Sequence, residues 1–211
     1  MRKLTTALAL ATLASVVALP VIAQDKSTGA PAIPGVKDAS RVTAGSYALD
    51  ASHSQVIWQA NHFGFTDYQG IFGDVEGDLT LDPAAPEKAA VNITIPIPKL
   101  VTTSDRLTKH MLGTDFFSSS EFPTATFKST NVDVTGETAK ITGDLTIKGI
   151  PKSVALDAEF TGAGTNPFSK KFTVGFKAST TIKRSDFGVN YGIPVVSDEV
   201  ELQIIAAFEK F

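Results

Sequence analysis

Three histidines, His53, His62 and His110, are the residues of this chain whose type and number first suggest chemistry. Three imidazoles are the protein ligands of some catalytic zinc sites. His53 and His62 are nine residues apart, however, and an odd separation on one regular strand directs two side chains to opposite faces. A shared metal ion is therefore not expected, and no metal site is predicted.

His62 and His110 each allow two interpretations. His62 follows Trp58 on one face of an alternating segment. There it is either a core histidine bonded to a neighbouring carbonyl or a polar contact for a ligand, and both roles stay open. His110 lies near the end of a predicted helix, where a cationic ring complements the helix dipole. We favour that role for His110 over ligand contact.

Arg184, Ser185 and Asp186 form a dense polar cluster, followed by Phe187 and Gly188. One interpretation is a structural turn in which Asp186 accepts backbone hydrogen bonds and Gly188 supplies a positive φ. The other is that Arg184 reaches a phosphate or hydroxyl group of a ligand. The turn is favoured of the two.

Motifs of enzyme chemistry are missing from the sequence. It contains no Gly-x-Ser-x-Gly motif and no Gly-rich phosphate loop. Paired carboxylates for glycoside hydrolysis cannot be singled out either, because most acidic residues fall on outward faces. We therefore predict no enzyme activity and no cofactor.

These side chains must be positioned by β-strands, because apolar and polar residues alternate along most of the chain. The strongly polar opposite faces suit an antiparallel sheet with one buried side. Eight predicted strands cover about residues 54–63, 71–81, 91–97, 125–129, 141–147, 154–160, 172–182 and 200–208. Because eight antiparallel strands can close around one small ligand, the predicted fold is all-β, an eight-stranded antiparallel barrel.

One short helix is predicted between the third and fourth strands. Ser104 is a suitable N-cap, Asp105 suits the dipole in the first turn, and Gly113 can end the helix in a left-handed conformation. Leu107 and Met111 are four residues apart and face the same way. We expect a lid or plug packed over one end of the barrel.

Several inward positions carry small residues, and these bear on function. They are Gly73, Gly77 and Gly143, together with the alanines at positions 60, 125, 158, 178 and 206. Small inward residues mean either an open tunnel for a ligand or the tight bends that closing a barrel demands. Their number favours the tunnel. A structural or stress-related periplasmic interaction module with a filled core is the alternative.

The N-terminus has the pattern of a secretory signal peptide. Arg2 and Lys3 precede an apolar run from Ala7 to Leu19, and Ala23 offers a cleavage site. The run is shorter than the ~20 residues that span a bilayer. We expect export to the periplasm. The predicted parts are a signal peptide, a mobile linker and one domain, at residues 1–23, 24–45 and 46–211.

The composition excludes several classes of protein. The chain has no cysteine, which rules out disulfides, thiol catalysis and lipid attachment to cysteine. Removing Arg2 and Lys3 from the 19 basic residues leaves 17 against 22 acidic ones, a net charge of −5 that argues against a nucleic-acid partner. An integral outer-membrane barrel is not expected, because Glu209 falls on the face, counted back from Phe211, that would meet lipid.

Several segments resemble, in order and spacing, the YceI-like family of exported proteins. They are HSQVIWQANHFGF, HMLGTDFF followed by FPTATFKST, GDLTIKGIPKSVAL, and RSDFGVNYG with SDEVELQI. The resemblance covers about Tyr47 to Phe208 and implies a lipocalin-like barrel that takes up the tail of a polyisoprenoid or similar amphiphilic lipid in a central tunnel. Many members carry an acid two residues before the helix histidine. Thr108 stands there in this chain, so the resemblance implies no acid partner for His110 at that position.

The predicted ligand site combines tunnel-facing positions with polar and aromatic residues at the end of the barrel where the helix lies. The expected partner is a polyisoprenoid or another long-chain amphiphile, and a homodimer is left open. The predicted ligand-binding residues are Val56, Trp58, Ala60, His62, Gly73, Val75, Gly77, Ile93, Ile95, His110, Phe116, Phe127, Leu145, Phe176, Ala178, Arg184 and Phe187.

Overall fold

The structure is a computed structural model that describes residues 32–211. Within these residues the chain forms eleven β-strand segments, one α-helix and four 3-10 turns. The strands are β1 (Gly45–Leu49), β2 (Gln55–His62), β3 (Thr66–Phe72), β4 (Glu76–Leu81), β5 (Ala90–Pro96), β6 (Leu100–Thr102), β7 (Thr124–Thr135), β8 (Thr138–Ile147), β9 (Ile150–Thr165), β10 (Phe172–Lys183) and β11 (Glu199–Lys210). The helix α1 is Asp105–Leu112, and the 3-10 turns are Ala39–Arg41, Pro86–Lys88, Ile97–Lys99 and Arg184–Phe187.

The eleven segments make eight long antiparallel strands, because three of those strands are interrupted. β11 pairs with β2 through its first half and with β1 through its second half, so β1 and β2 are two parts of one strand. β3 and β4 continue each other in the same way, and so do β5 and β6. The pairing of β1 with β11 closes the circle. The prediction of an all-β, eight-stranded antiparallel barrel is therefore confirmed.

The interruption between β3 and β4 corrects one predicted face. Asp74 has a φ of 50°, which breaks the regular strand. Phe72 is buried before the break and Val75 after it, so the inward face moves from even to odd positions. Ile71, which alternation puts on the same face as the predicted inward Gly73, is 37% exposed on the outer face. The prediction was wrong at Ile71 because strict alternation assumes a regular strand and does not account for the irregular residue Asp74.

The inward glycines allow neighbouring strands to approach closely. A Cβ atom on Gly77 would lie 2.1 Å from the carbonyl oxygen of Asn92 on β5, and the φ of Gly77 is +155°. A Cβ atom on Gly143 would lie 2.5 Å from the carbonyl oxygen of Lys128 on β7. At these two positions glycine is required by backbone contact, and it does not mark open space.

The helix α1 plugs one end of the barrel as predicted. The Ser104 hydroxyl accepts a hydrogen bond from the Leu107 N–H at 3.3 Å, and Met111 is buried in the core. Thr108 holds the helix to β6, since its hydroxyl accepts the Thr102 N–H at 3.1 Å. Gly113 differs from expectation, because its φ of −78° is extended and not left-handed.

Two apolar clusters occupy the two ends of the barrel. The cluster at the helix end includes Trp58, Met111 and Phe187. The cluster at the opposite end includes Tyr47 and Val174, both fully buried. The β7–β8 and β9–β10 hairpins and the β4–β5 loop lie at this second end, because β8 and β10 both begin there and run towards the helix.

Residues 24–45 were predicted to be a mobile linker, but from residue 33 onwards the structure shows this segment attached to the barrel. Val36 forms a β-bridge with Ala163, and Asp38 caps the 3-10 turn Ala39–Arg41. This stretch is ordered because it pairs with an open edge of β9. The sequence of the linker alone does not indicate that pairing. The predicted signal peptide at 1–23 and the linker up to residue 31 lie outside the described residues. No helix among the residues described is both long and apolar enough to cross a membrane.

Candidate functional site

The barrel encloses an apolar cavity of about 360 Å³. This volume lies at the low end of the roughly 300–1,000 Å³ typical of small-molecule sites. The predicted ligand-binding residues that line it are Val56, Val75, Ile93, Ile95, Phe127, Leu145, Phe176 and Ala178. The structure thus brings the middle of the predicted site together around one space.

The inward side chains around the cavity are more exposed than the side chains of a filled core would be. Ile93, Ile141, Leu156 and Ile204 line the cavity and are only half-buried, although they lie on the inward face of the barrel. In a close-packed interior such side chains are covered by neighbours on all sides. These face a space instead, and three inward alanines, Ala158, Ala178 and Ala206, widen it.

The cavity opens at the end of the barrel opposite α1. Most of its solvent-exposed lining residues belong to the 3-10 turn Ala39–Arg41, the β4–β5 loop and the β7–β8 hairpin. They are Ala39, Pro83, Val134, Gly136, Glu137 and Thr138. The sequence analysis did not predict an opening at this end, because it put the polar residues of the site at the helix end.

Polar groups in the lining are few, and most of them are already bonded. The Ser54 hydroxyl accepts the Ala207 N–H at 3.0 Å, so it belongs to the wall between β2 and β11. Glu159 lies between the ammonium groups of Lys37 at 2.7 Å and Lys177 at 3.0 Å. Its hydrogen bonds with these two lysines lower the pKa of the Glu159 carboxyl. Charge is therefore confined to the margin of an apolar space.

His62 lies outside the cavity. It is exposed at the end of β2, where its backbone bridges to Val196 and its ring packs edge-on against Phe63 at 4.2 Å. Alternation puts His62 on the same face as Trp58 and Ala60, but His62 is the last residue of β2 and lies beyond the buried part of that strand. His62 is not among the residues that line the cavity.

His110 pairs with an acid that the sequence analysis did not identify. Its Nε2 lies 2.7 Å from an Asp115 carboxylate oxygen, and its ring packs edge-on against Phe116 and Tyr191. Asp115 follows His110 by five residues, so the acid partner comes after the histidine and not from position 108 before it. Tyr191 comes from a distant loop, which no local pattern could have indicated. The whole group lies at the closed end of the barrel, away from the cavity.

Arg184 is buried in a structural role. Its guanidinium donates hydrogen bonds to four backbone carbonyls, those of Val189, Tyr191, Val196 and Ser197, at 2.8–3.0 Å. These bonds use four of its five N–H groups. Burial lowers the pKa of Arg184, and the nearby Asp198 carboxylate opposes that change. The residue therefore organises the loop between the 3-10 turn and β11.

The turn that begins at Arg184 agrees in part with its predicted form. Gly188 has the expected positive φ, at 71°. The carboxylate that accepts the backbone bond is Asp198, which takes the Ser185 N–H at 2.9 Å, and not Asp186 as expected. Asp186 is exposed instead. Asp198 immediately precedes β11 and follows Ser185 by thirteen residues.

The remaining predicted residues lie outside the cavity lining. Trp58, Ala60 and Phe187 are buried in the helix-end core, and Phe116 packs against that core from the segment after α1. Gly73 lies in the break between β3 and β4, and Gly77 is a close-approach position. Among residues 32–211, no group of three or more histidine, cysteine, aspartate or glutamate side chains could hold a metal ion.

Comparison with known proteins agrees with the architecture. A family model described as YceI-like domain matches residues 47–208. A UPF0312 protein of Ectopseudomonas mendocina is 38% identical over 162 residues, which cover 75% of this chain and 84% of the relative. BcnA of Burkholderia cenocepacia has a crystal structure with a TM-score of 0.68 at 25% identity, covering 75% of this chain and 98% of that protein.

A more distant structure shares the fold. It is a polyisoprenoid binding domain from Saccharophagus degradans implicated in plant cell wall breakdown, with a TM-score of 0.61 at 16% identity, and it covers 78% of this chain and 98% of that domain. The family model spans nearly the whole barrel, and the relative from Ectopseudomonas mendocina matches most of its own length. This chain belongs to the YceI-like domain family.

Proposed function

We propose that this protein is an exported, non-catalytic carrier that holds the apolar tail of a polyisoprenoid or similar amphiphilic lipid in its barrel. The observation that carries the proposal is the apolar cavity of about 360 Å³, which opens at the end of the described barrel opposite α1. The description of the related domain from Saccharophagus degradans as polyisoprenoid binding supports the ligand class. The open space speaks against the alternative of a module with a filled core.

The apolar end of the ligand would point towards α1, and its polar end would stay at the mouth. The helix end is filled by Trp58, Met111 and Phe187, whereas the mouth carries Glu137 and is open to water. Burying a polar head group without partners costs several kcal/mol, so a head group is better accommodated at the rim. This orientation removes His62 and Arg184 from the proposed head-group site.

The size of the cavity limits how much of a long chain it encloses. Its volume equals that of roughly twelve water molecules at ~30 Å³ each. If about ten hydrocarbon groups were enclosed, the gross gain would be about 8 kcal/mol, from which the cost of association is subtracted. A longer polyisoprenoid would therefore leave part of its chain at the mouth.

Organic extraction of the purified protein tests the proposal. We expect mass spectrometry of the extract to show a long-chain amphiphile at a substantial molar fraction of the protein. A delipidated sample should take up all-trans-retinol, an isoprenoid alcohol, with micromolar or tighter affinity. An extract without lipid, together with a delipidated protein that binds no retinol, would favour the filled-core module.

The expected compartment is tested separately by cell fractionation. The predicted signal peptide implies a mature protein that begins at Gln24 and is recovered in the periplasmic or secreted fraction. N-terminal sequencing of the recovered protein measures this directly. Protein recovered from washed membranes with Met1 intact would contradict the prediction of a cleaved signal peptide.

A further inference from the structure

A segment outside the family domain contributes to the cavity. The family model begins at residue 47, yet Ala39 and Val42 line the cavity at its mouth. They belong to residues 33–42, which we call the N-terminal strap. The strap is therefore a part of the site that the family match does not include.

The strap is attached to the barrel through the backbone of β9. β8 pairs with β9 only as far as Glu159, so the rest of β9 has an open edge on that side. Val36 pairs with Ala163 on this edge through two reciprocal N–H to carbonyl bonds of 3.1 and 2.9 Å. Unpaired strand edges readily accept a further extended segment.

A glycine in β9 makes this attachment possible. A Cβ atom on Gly164 would lie 2.0 Å from the carbonyl oxygen of Pro34. The φ of Gly164 is not in the left-handed region, so the backbone there would accept any residue. The strap, and not the conformation of β9, excludes a side chain at position 164.

Lys37 fastens the strap across the mouth. Its ammonium lies 2.7 Å from Glu159 on β9 and 3.4 Å from Glu137 in the β7–β8 hairpin, and both acids line the cavity. The hydrogen bond to Glu159 raises the pKa of Lys37. Asp38 then accepts the Ser40 N–H at 3.0 Å, which starts the 3-10 turn that carries Ala39 over the opening.

The attachments are few and lie at the surface. Ile33 is 80% exposed and Val36 is 46% exposed, whereas Val42 is half-buried and packs against the apolar cluster at this end. The barrel is closed by the backbone pairing of β1 with β11, and no strap residue takes part in that pairing. Detaching the strap would thus leave the barrel intact.

We propose that the N-terminal strap is a movable side of the ligand site that retains the bound lipid and sets the rate of its release. This inference rests on the proposed function, because it needs a ligand in the cavity. With the strap docked, Ala39 and Val42 cover the mouth and contact the ligand. With the strap detached, the mouth widens and the ligand leaves.

The test measures release of all-trans-retinol from the full-length mature protein by stopped-flow fluorescence. Gly164→Val places a side chain where the Pro34 carbonyl lies, and we expect release about tenfold faster than from the unmodified protein. Lys37→Glu sets a carboxylate against Glu159 and Glu137, and we expect release about two- to fivefold faster. Lys140→Glu is the matched control, because Lys140 pairs with Asp157 of β9 at 3.8 Å without touching the strap, and its release rate should not change.

Hydrogen exchange at Val36 reports strap docking independently of the ligand. Both strap variants should expose the Val36 amide while the amides of β10 and β11 stay protected. If the Val36 amide exchanges freely in either variant and retinol still leaves at the unmodified rate, the strap inference is overturned. If the unmodified protein binds no retinol at all, the result contradicts the proposed function itself, and not only the role of the strap. Should Gly164→Val not fold, Lys37→Glu against Lys140→Glu decides the question.

Discussion

Replacing Ala178 by phenylalanine is expected to lower the affinity for all-trans-retinol at least about tenfold while the barrel stays folded. Ala178 lines the cavity from β10, where it pairs with Ala158 and Ile204. A phenyl ring at this position would occupy the space that the ligand needs. Because the ring enters open volume, we expect the free energy of unfolding to change by less than about 1 kcal/mol.

A neighbouring position provides the matched control. Ser179 is the next residue of β10 and is exposed on the outer face. Ser179→Phe adds the same ring to the outside of the barrel, so retinol binding should be unchanged. Titration of retinol fluorescence and thermal melts of both variants measure the two effects. A loss of about 1–3 kcal/mol in Ala178→Phe with unchanged binding would mean that the interior is already packed.

Replacing Arg184 by alanine is expected to destabilise the fold by about 3–5 kcal/mol, since four buried or half-buried carbonyls would each lose a partner worth about 1 kcal/mol. The carbonyls belong to the loop between Val189 and Ser197, which packs beside the helix end of the barrel. For a domain of this size the melting temperature should fall by roughly 10 °C. Retinol affinity, measured below the transition, should stay within about twofold because Arg184 is not part of the cavity lining.

Two further substitutions separate the role of charge from that of geometry. Arg184→Lys keeps the charge but cannot reach four carbonyls with one ammonium group, so we expect it to be nearly as destabilising as alanine. Lys183→Ala removes an exposed cation next to it and should change stability by less than about 0.5 kcal/mol. A normal melting temperature with strongly weakened binding in Arg184→Ala would restore this residue to the head-group site.

The sequence determined the features that depend on neighbours along the chain. The period of two predicts strands because successive side chains of an extended chain point to opposite faces. It thereby identified Val56, Ile93 and Leu145 as inward residues, and all three line the cavity. The Ser104 cap and the Leu107–Met111 spacing likewise located α1, since both are contacts within one turn or two.

Local patterns failed where a residue's partner is distant in the sequence. A small inward residue in the sequence has two possible structural explanations, which are close approach of the neighbouring strand and open space. Gly77 is small because β5 crosses close to it, whereas Ala178 is small beside open space. Which cause applies depends on the strand that lies opposite, and that is set only when the barrel closes.

Partners distant in the sequence also decided which polar residues of the predicted site are free to bind a ligand. Arg184 looked free to bind a ligand because the carbonyls that occupy it come from a loop folded back over it. His110 pairs with Asp115 from the turn after α1, and the mouth of the cavity is formed by the β4–β5 loop, the β7–β8 hairpin and the N-terminal strap. Alternation in the sequence determined which side chains face inward, and tertiary structure decided which end opens and which polar groups remain free, because both depend on contacts between segments far apart in the chain.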